Sequence, residues 1–486
     1  MTRSGHRRSR SAAALAPARR CALAALIEAQ RHGAYVRDVL ATSPDAAALD
    51  ARDRSFALRL ALGATATLGC ADELLDRFLA RPDRVQPALR WALRLSAFEL
   101  LYLEAPVHAG VSQGVELARS VARGAAGLAN AVLRRVAEAR AEYLDACDVP
   151  AERRRSVARA RAAGMPVWLA DEVAASRGED ACAALLATQL EAAPQAVHMA
   201  VPAPDLSRLA WADTGAELSY PGCVRVGDAA LLMADGALER AEAVSSDLAA
   251  QLIAGAATRP GSSLEIGAGR GTKTFIMAAQ AHRAGWARDH VALDLSASKC
   301  ALNAERMRAA GFGELKTVAG DATDLDAALA ALDAAAAAPR RFATVFVDAP
   351  CSGTGTMRRH PEIVWRLQPA EVRVGLPRLQ LAILREAARR VEDGGELIYA
   401  TCSVLQTENE QVAEAFLASA EGAAFTLAPV SGAPLYARDA YAEARALDTA
   451  PIEDARGMFP DAARPRRLRW ARSAPASCAA EDAAEG

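Results

Sequence analysis

Two cysteines stand where a thiol can do chemistry. Cys351 lies in Asp348-Ala349-Pro350-Cys351-Ser352-Gly353-Thr354-Gly355, directly after the strand-like run Thr344-Val345-Phe346-Val347; Cys402 lies in Tyr399-Ala400-Thr401-Cys402-Ser403, 51 residues further on. In an open α/β sheet ligands bind in the crevice beyond the carboxyl ends of the strands, so thiols past two such ends can face one reacting atom. A thiolate there is a nucleophile able to form a covalent intermediate. Free cysteines are most often small buried hydrophobes, a reading that fits Cys21, Cys70, Cys182 and Cys300; Pro, Ser, Thr and Gly around Cys351 and Cys402 fit that use poorly. Thr407-Glu408-Asn409-Glu410 has the form of a capping box and predicts a helix starting just after Cys402, whose N-terminus would lower the thiol pKa.

A second constellation is Glu265-Ile266-Gly267-Ala268-Gly269-Arg270-Gly271-Thr272-Lys273-Thr274, after a first predicted strand. Its glycines let backbone approach a ligand closely. The third glycine of a dinucleotide G-x-G-x-x-G would fall at Thr272, so that pattern is imperfect. Asp294 closes the second predicted strand, where a carboxylate can accept from ribose hydroxyls, and Asp321 closes the third. Lys273 is one of three lysines beside 54 arginines, which points to a site where a compact ammonium fits and a planar guanidinium does not.

These loops need a doubly wound sheet to hold them. From about Gly236 the pattern alternates strands and helices, with strands expected at Ser263 to Ile266, Val291 to Leu293, Leu315 to Val318, Thr344 to Val347 and Glu396 to Ala400, and a helix in the Ala-rich stretch 327 to 338. From Arg20 to about Glu142 the period is helical instead: Leu23, Leu26, Ile27; then Leu89, Leu93, Ala97, Leu100; then Val111, Val115, Ala118. With 486 residues the chain divides into several domains: a basic disordered tail over 1–18, an all-α domain over 19–142, a small α+β linker domain over 143–235, an α/β Rossmann-like domain over 236–474 and a disordered tail over 475–486.

Net charge is near zero, with 57 Lys+Arg against 59 Asp+Glu, so a polyanion would have to be met by local patches. Six arginines fall in residues 1–20, five in 153–161 and five in 464–472 (Arg464, Arg466, Arg467, Arg469, Arg472); each patch reads equally as solvated surface or phosphate contact. Nine cysteines without a C-x-x-C pair speak against a disulfide framework and a zinc site. No apolar stretch reaches the length of a membrane span, and a soluble cytoplasmic protein is expected.

The DAPCSGTG and TCS pair resembles the RsmB/NOP family of RNA cytosine-C5 methyltransferases. Arg52-Asp53-Arg54, the run Leu89 to Leu103, Ala105-Pro106-Val107-His108-Ala109 and Gly127 to Arg134 are similar to the NusB-like helical domain of the family's bacterial small-subunit rRNA branch; Met165-Pro166-Val167-Trp168-Leu169 resembles its Pro-x-Trp-Leu segment, and Arg358-Arg359-His360-Pro361-Glu362 its R-R-H-P-D segment. Against the family's C-A-A-P-G-G-K, Ala268, Gly271 and Lys273 agree while Gly267, Arg270 and Thr272 depart. The usual C-terminal Asp-Gly-Phe-Phe is replaced by Met458-Phe459-Pro460-Asp461.

The resemblance implies S-adenosylmethionine as cofactor, held by Gly267, Ala268, Gly269, Arg270, Gly271, Thr272, Lys273, Asp294, Asp321 and Asp348. It implies three catalytic residues: Cys402 as the thiolate adding to carbon 6 of cytosine, Cys351 in release after methylation, and Asp348 on the ring's N3 and amino edge. It further implies 16S rRNA as substrate, before or during subunit assembly, for a monomeric enzyme. Rival functions are a transferase for tRNA or large-subunit rRNA, a non-catalytic RNA-binding assembly factor, and a nicotinamide-dependent oxidoreductase.

Overall fold

The computed structural model describes residues 14–103, 105–193, 195–200, 208–213, 221–334, 338–427 and 466–472. It falls into two compact units, one running to Asp171 and including Val364–Arg366, the other holding Glu172–Ile363 and the rest.

The first unit is helical. Leu89, Leu93, Ala97 and Leu100, spaced by three or four positions, form the buried face of the helix Pro87–Tyr102; Leu23 and Leu26 do the same on Pro17–His32, and Val111 and Ala118 on Val107–Val121. Pro at the start of Pro17–His32 and Gly33, at φ 64° after its end, bound that helix, as the geometry of helix ends favours.

The helical unit continues past position 142 because side chains beyond it are built into its core. The buried Tyr143 hydroxyl donates to Cys70 O at 3.0 Å and to Glu73 Oε2 at 2.9 Å, and Arg161 stacks 4.1 Å over the Tyr143 ring. Arg161 donates to Asp148 Oδ1 at 2.6 Å and to Tyr143 O at 3.0 Å, and also pairs with Glu73. Of the five arginines at 153–161, Arg161 is therefore structural, and Arg159 pairs with Asp171 at 3.6 Å.

The Arg161 guanidinium, hydrogen-bonded to Asp148, pulls that carboxyl down to about 2. A depressed carboxyl stabilises the fold above its unfolded pKa, and the contribution fades as pH falls through the folded value. Arg161→Met should cost about 1.5–3 kcal/mol at neutral pH, since Asp148 and Glu73 lose one of their two guanidinium partners, keeping Arg77, and the Tyr143 carbonyl loses its side-chain donor. In thermal melts the gap to wild type should narrow as pH falls from about 4 toward 2; a gap constant over that range would remove the ion pair from the explanation.

The second unit carries two sheets. The smaller is antiparallel, in the order β2-β1-β3, from β1 (Ala196–Met199), β2 (Cys223–Arg225) and β3 (Ala243–Ser245), with Trp211 buried against Val197, Met199 and Val224. It extends beyond position 235 because β3 is β1's hydrogen-bonded neighbour.

The larger sheet contains β4 (Gly261–Ile266), β5 (Arg288–Asp294), β6 (Lys316–Ala319), β7 (Phe342–Asp348), β8 (Val391–Thr401), β9 (Phe425–Leu427) and β10 (Arg466–Arg472), in the order β6-β5-β4-β7-β8-β10-β9, every pairing parallel. The five expected strands are all present. Alternation along the central strands sends Val345 and Val347 into one core and Phe346 into the other, as a parallel sheet covered on both faces requires. The Ala-rich stretch forms the helix Leu325–Asp333, with residues 335–337 outside the described set. Also outside it lie residues 1–13 of the expected N-terminal tail, Arg464, Met458-Phe459-Pro460-Asp461 and the tail at 475–486.

Candidate active site

β7 and β8 are neighbours in register, Asp348 opposite Ala400, so the chains leaving their carboxyl ends emerge side by side. Ala349 N–H donates to Ala400 O at 2.9 Å and Gly355 N–H to Cys402 O at 2.8 Å, stitching the loops together. Cys351 Sγ and Cys402 Sγ come to 2.9 Å, and the Cys402 N–H donates to Cys351 Sγ at 3.2 Å. Both are free, half-buried thiols, whereas Cys21, Cys70, Cys182 and Cys300 are buried.

The Cys402 pKa is lowered, first by the hydrogen bond from the Cys351 thiol, against burial and the Asp348 carboxylate, with Lys273 assisting. The Cys351 pKa is raised by that same hydrogen bond, by burial and by the Cys402 and Glu408 charges. The contact favours one proton shared between the two sulfurs, with Cys402 the readier of the two to ionise.

Lys273 reaches Asp348 Oδ2 at 2.7 Å, with 19% and 24% of their side chains exposed. Burial opposes the Lys273 charge, but Asp348, followed by Cys402 and Glu265, outweighs it and raises the ammonium pKa. Asp348 is also raised, by burial first and by Glu265, against the pull of Lys273. The two shifts pull in opposite senses on the pair's charge state. The 2.7 Å contact decides for the ion pair, because a neutral Asp348 would leave the ammonium without its counter-charge.

The expected capping box is absent. Gln406–Glu408 is a single tight turn, and the helix Glu410–Leu417 starts later, with Asn409 at its head making no side-chain cap. Thr407 Oγ1 has no hydrogen-bond partner among the described residues, and Asn409 Oδ1 instead accepts from Thr401 Oγ1 at 2.7 Å while Asn409 Nδ2 donates to Ser403 O and Leu405 O. Tertiary partners outcompete the local cap, and the groups that lower the Cys402 pKa are the Cys351 thiol first and then Lys273.

The glycine loop follows β4 and opens the helix Thr272–Ala284. Gly267 at φ +82° lies so close to β7 that a Cβ would stand 2.3 Å from Asp348 O; one on Gly271, also at φ +82°, would stand 1.9 Å from Asn303 Oδ1. Ala268 is buried. Gly269 N–H donates to Asp294 Oδ2 at 2.9 Å and Ser296 N–H to Asp294 Oδ1 at 2.9 Å, which fixes that carboxylate at the end of β5. Arg270 is exposed, and its carbonyl accepts from Arg306 Nη1 at 2.7 Å. Thr272 is half-buried at the helix start. Asp321 is exposed beyond β6, its Oδ1 accepting from the Thr323 N–H and hydroxyl at 2.8 Å each, and those bonds hold the carboxyl below its usual range.

The R-R-H-P-E segment is ordered by ion pairs: Arg358 reaches Glu191 Oε2 at 3.3 Å, and Arg359 donates to Asp247 Oδ2 at 3.0 Å. Within the helical unit Trp365 donates to Ala66 O at 2.6 Å. Trp168 is half-buried.

Sequence reasoning missed two features. Leu295, directly after Asp294, is 76% exposed; an apolar residue after a strand-ending acid was a signal in plain view. Glu408, read as a capping residue, is fully buried beside the two cysteine loops.

A family model described as 16S rRNA methyltransferase RsmB/F matches residues 258–459, and a NusB family model matches residues 16–138. The ribosomal RNA small subunit methyltransferase B of Thermus thermophilus is 33% identical over 375 residues, covering 76% of this chain and 79% of that protein. The chain belongs to the RsmB/F methyltransferase family. The ribosomal RNA small subunit methyltransferase B of Pseudomonas putida is 32% identical over 397 residues, 77% of this chain and 83% of that protein. The crystal structure of PH0851 shares the fold, with a TM-score of 0.65 at 18% identity over 84% of this chain and 90% of that one. Among the described residues, no helix is long and apolar enough to cross a membrane.

An RsmB/F methyltransferase draws its methyl group from S-adenosylmethionine, and the residues present fit that cofactor. Backbone at Gly267 and Gly271 leaves no room for side chains. The helix N-terminus after Gly271 offers N–H groups to a carboxylate, and each Asp294 oxygen keeps a lone pair beyond the one backbone bond it accepts.

Proposed function

We propose that this chain methylates carbon 5 of a cytosine in 16S rRNA, before or during subunit assembly, through a covalent adduct on Cys402. What supports it above all is the pair of free thiols 2.9 Å apart past adjacent strands, with an ion-paired lysine and aspartate beside them. The relatives named as small-subunit rRNA methyltransferases span the same two-part chain. Mapping 5-methylcytosine in rRNA and tRNA from cells with and without this protein tests it: loss of one 16S site is expected, and loss confined to tRNA or 23S rRNA would reassign the substrate.

S-adenosylmethionine supplies an electrophilic methyl group. Carbon 5 of cytosine is too weak a nucleophile to take it unaided. Cys402, poised as the thiolate, adds to carbon 6 and makes the ring enamine-like, splitting one hard step into easier ones. Asp348 accepts from the amino edge and Lys273 balances the charge that builds on the ring. After carbon 5 is methylated its proton must leave before the Cys402–carbon 6 bond can break; Cys402, now bonded to carbon, no longer carries the charge that raises the Cys351 pKa, so Cys351 gives its own proton to solvent and takes the one from carbon 5, the C–H electron pair restores the 5,6 double bond, and Cys402 leaves as the thiolate. A base stacked in a helix would have to be turned out to reach these thiols.

Gly267, Ala268, Gly269, Arg270, Gly271, Thr272 and Lys273 line the methionine end of the cofactor in this proposal, Asp294 takes the ribose, and Leu295 and Asp321 lie by the adenine. The helical domain over 19–142 contributes RNA contact, and the enzyme acts as a monomer. Asp294→Ala removes two charge-assisted acceptors. Cofactor affinity should fall about ten-fold to a hundred-fold, with a lowered Tm because the Gly269 and Ser296 N–H groups lose their acceptor, as calorimetry and a thermal melt would show; unchanged affinity in the folded variant would take Asp294 out of the pocket.

A further inference from the structure

We propose that Glu408 is a positioning residue of the transfer reaction, its buried carboxylate clamping the Cys351 loop to the Cys402 loop so that the two sulfurs stay within reach of one ring. This rests on the two-thiol reading above and adds a residue that acts through the loops carrying the thiols.

Glu408 has no exposed surface. Its Oε2 accepts from the Ser352 N–H at 2.8 Å and from Gln380 Nε2 at 3.0 Å, and its Oε1 accepts from Ser403 Oγ at 2.7 Å. Ser352 follows Cys351 and Ser403 follows Cys402, so one side chain grips the residue after each thiol. Gln380, on the helix Leu376–Arg389, also donates to Pro350 O at 2.9 Å and holds the near side of Cys351. Glu408's own carbonyl accepts from the Tyr399 hydroxyl at 2.6 Å, in β8 just before Cys402. Three donors converge on a buried carboxylate that forms no ion pair among the described residues, an arrangement that is rigid when complete and costly when one member is lost.

The charge has a consequence besides the geometry. The groups facing the thiols are Lys273, Asp348, Tyr399 and Glu408. Glu408 disfavours the thiolate at both cysteines, whereas Lys273 favours it at Cys402. Removing Glu408's charge therefore moves the acid limb of the rate profile to lower pH, opposite to removing Lys273. A side chain that merely fills space would not move that limb.

The test is Glu408→Gln and Glu408→Asp in the full-length protein, with kcat and RNA KM measured across pH and cofactor affinity by calorimetry. For Glu408→Gln, kcat should fall about 10²-fold, as a displacement near 1 Å of reacting groups does, with cofactor affinity and RNA KM within about two-fold of wild type, and the acid limb should shift down. Glu408→Asp should keep the limb in place and recover part of the rate. Wild-type kcat and limb in Glu408→Gln, or a loss of cofactor affinity matching the loss of kcat, would overturn the clamp. If Glu408→Gln does not fold, Ser403→Ala takes one donor from the carboxylate together with the bonds to Ser352 Oγ, Thr354 Oγ1 and the Leu405 N–H, and Thr354→Val, which spares the carboxylate, is its control; kcat lowered more by Ser403→Ala than by Thr354→Val at unchanged cofactor affinity supports the clamp, and an equal loss in both or wild-type kcat in Ser403→Ala overturns it. Cys402→Ala is measured alongside: transfer by that variant would bring down the thiol mechanism itself, whereas its inactivity beside a fully active Glu408→Gln removes only the clamp.

Discussion

Cys351→Ala protein mixed with substrate RNA and S-adenosylmethionine should yield a protein–RNA adduct that survives a denaturing gel, while Cys402→Ala and the double variant yield none. The proposed mechanism makes Cys402 the nucleophile and Cys351 the releasing group, and the directions of their pKa values, Cys402 lowered and Cys351 raised, agree with it. Without Cys402 no bond to carbon 6 forms and no methyl group is transferred. Without Cys351 the addition still proceeds, but release of the carbon 5 proton loses its partner, and steady-state turnover should drop about 10²–10⁴-fold, the range of a lost acid–base group. An adduct on Cys402→Ala in place of Cys351→Ala would exchange the two roles. Full activity without adduct in both would sink the covalent route.

Lys273→Met should be the most damaging change that leaves both thiols in place. The ammonium meets Asp348 at 2.7 Å and favours the Cys402 thiolate. Loss of a charge aimed at a developing anion costs about 10²–10³-fold in rate. The sign of the pH effect follows. Activity needs the Cys402 thiolate and falls as pH drops through its pKa; with Lys273 gone that pKa rises, so the acid limb moves up. Lys273→Arg should not restore the rate, since a planar guanidinium cannot replace a compact ammonium against one carboxylate oxygen. A pH–rate profile for Lys273→Met superimposable on wild type would detach the lysine from the thiols.

The fold was legible because its signals are local. Val345 and Val347 alternate with Phe346, and Leu89, Leu93, Ala97 and Leu100 recur at helical spacing; such periods reflect which face is buried, and burial sets element type before any partner is known. The capping box failed for the opposite reason. Thr407-Glu408-Asn409-Glu410 satisfies a local rule, but Ser352, Gln380 and Thr401, from 8 to 56 positions away, offer the side chains better partners, and long-range hydrogen bonding overrode the local preference.

The sequence by itself determined the two classes of domain, the strand ends that carry Cys351, Cys402, Asp294 and Asp321, and a glycine loop after the first of those strands, because each depends on residue type within a few positions. Only the tertiary structure decided that β7 and β8 are adjacent, so that thiols 51 positions apart come to 2.9 Å, and that Lys273 rather than any arginine meets Asp348. It alone showed Glu408, read from the sequence as part of a helix cap, to be a buried tie between the cysteine loops. Strand order and the charge state of a thiol both depend on what lies across the crevice, and proximity between distant segments is set by packing the sheet, which no local pattern encodes.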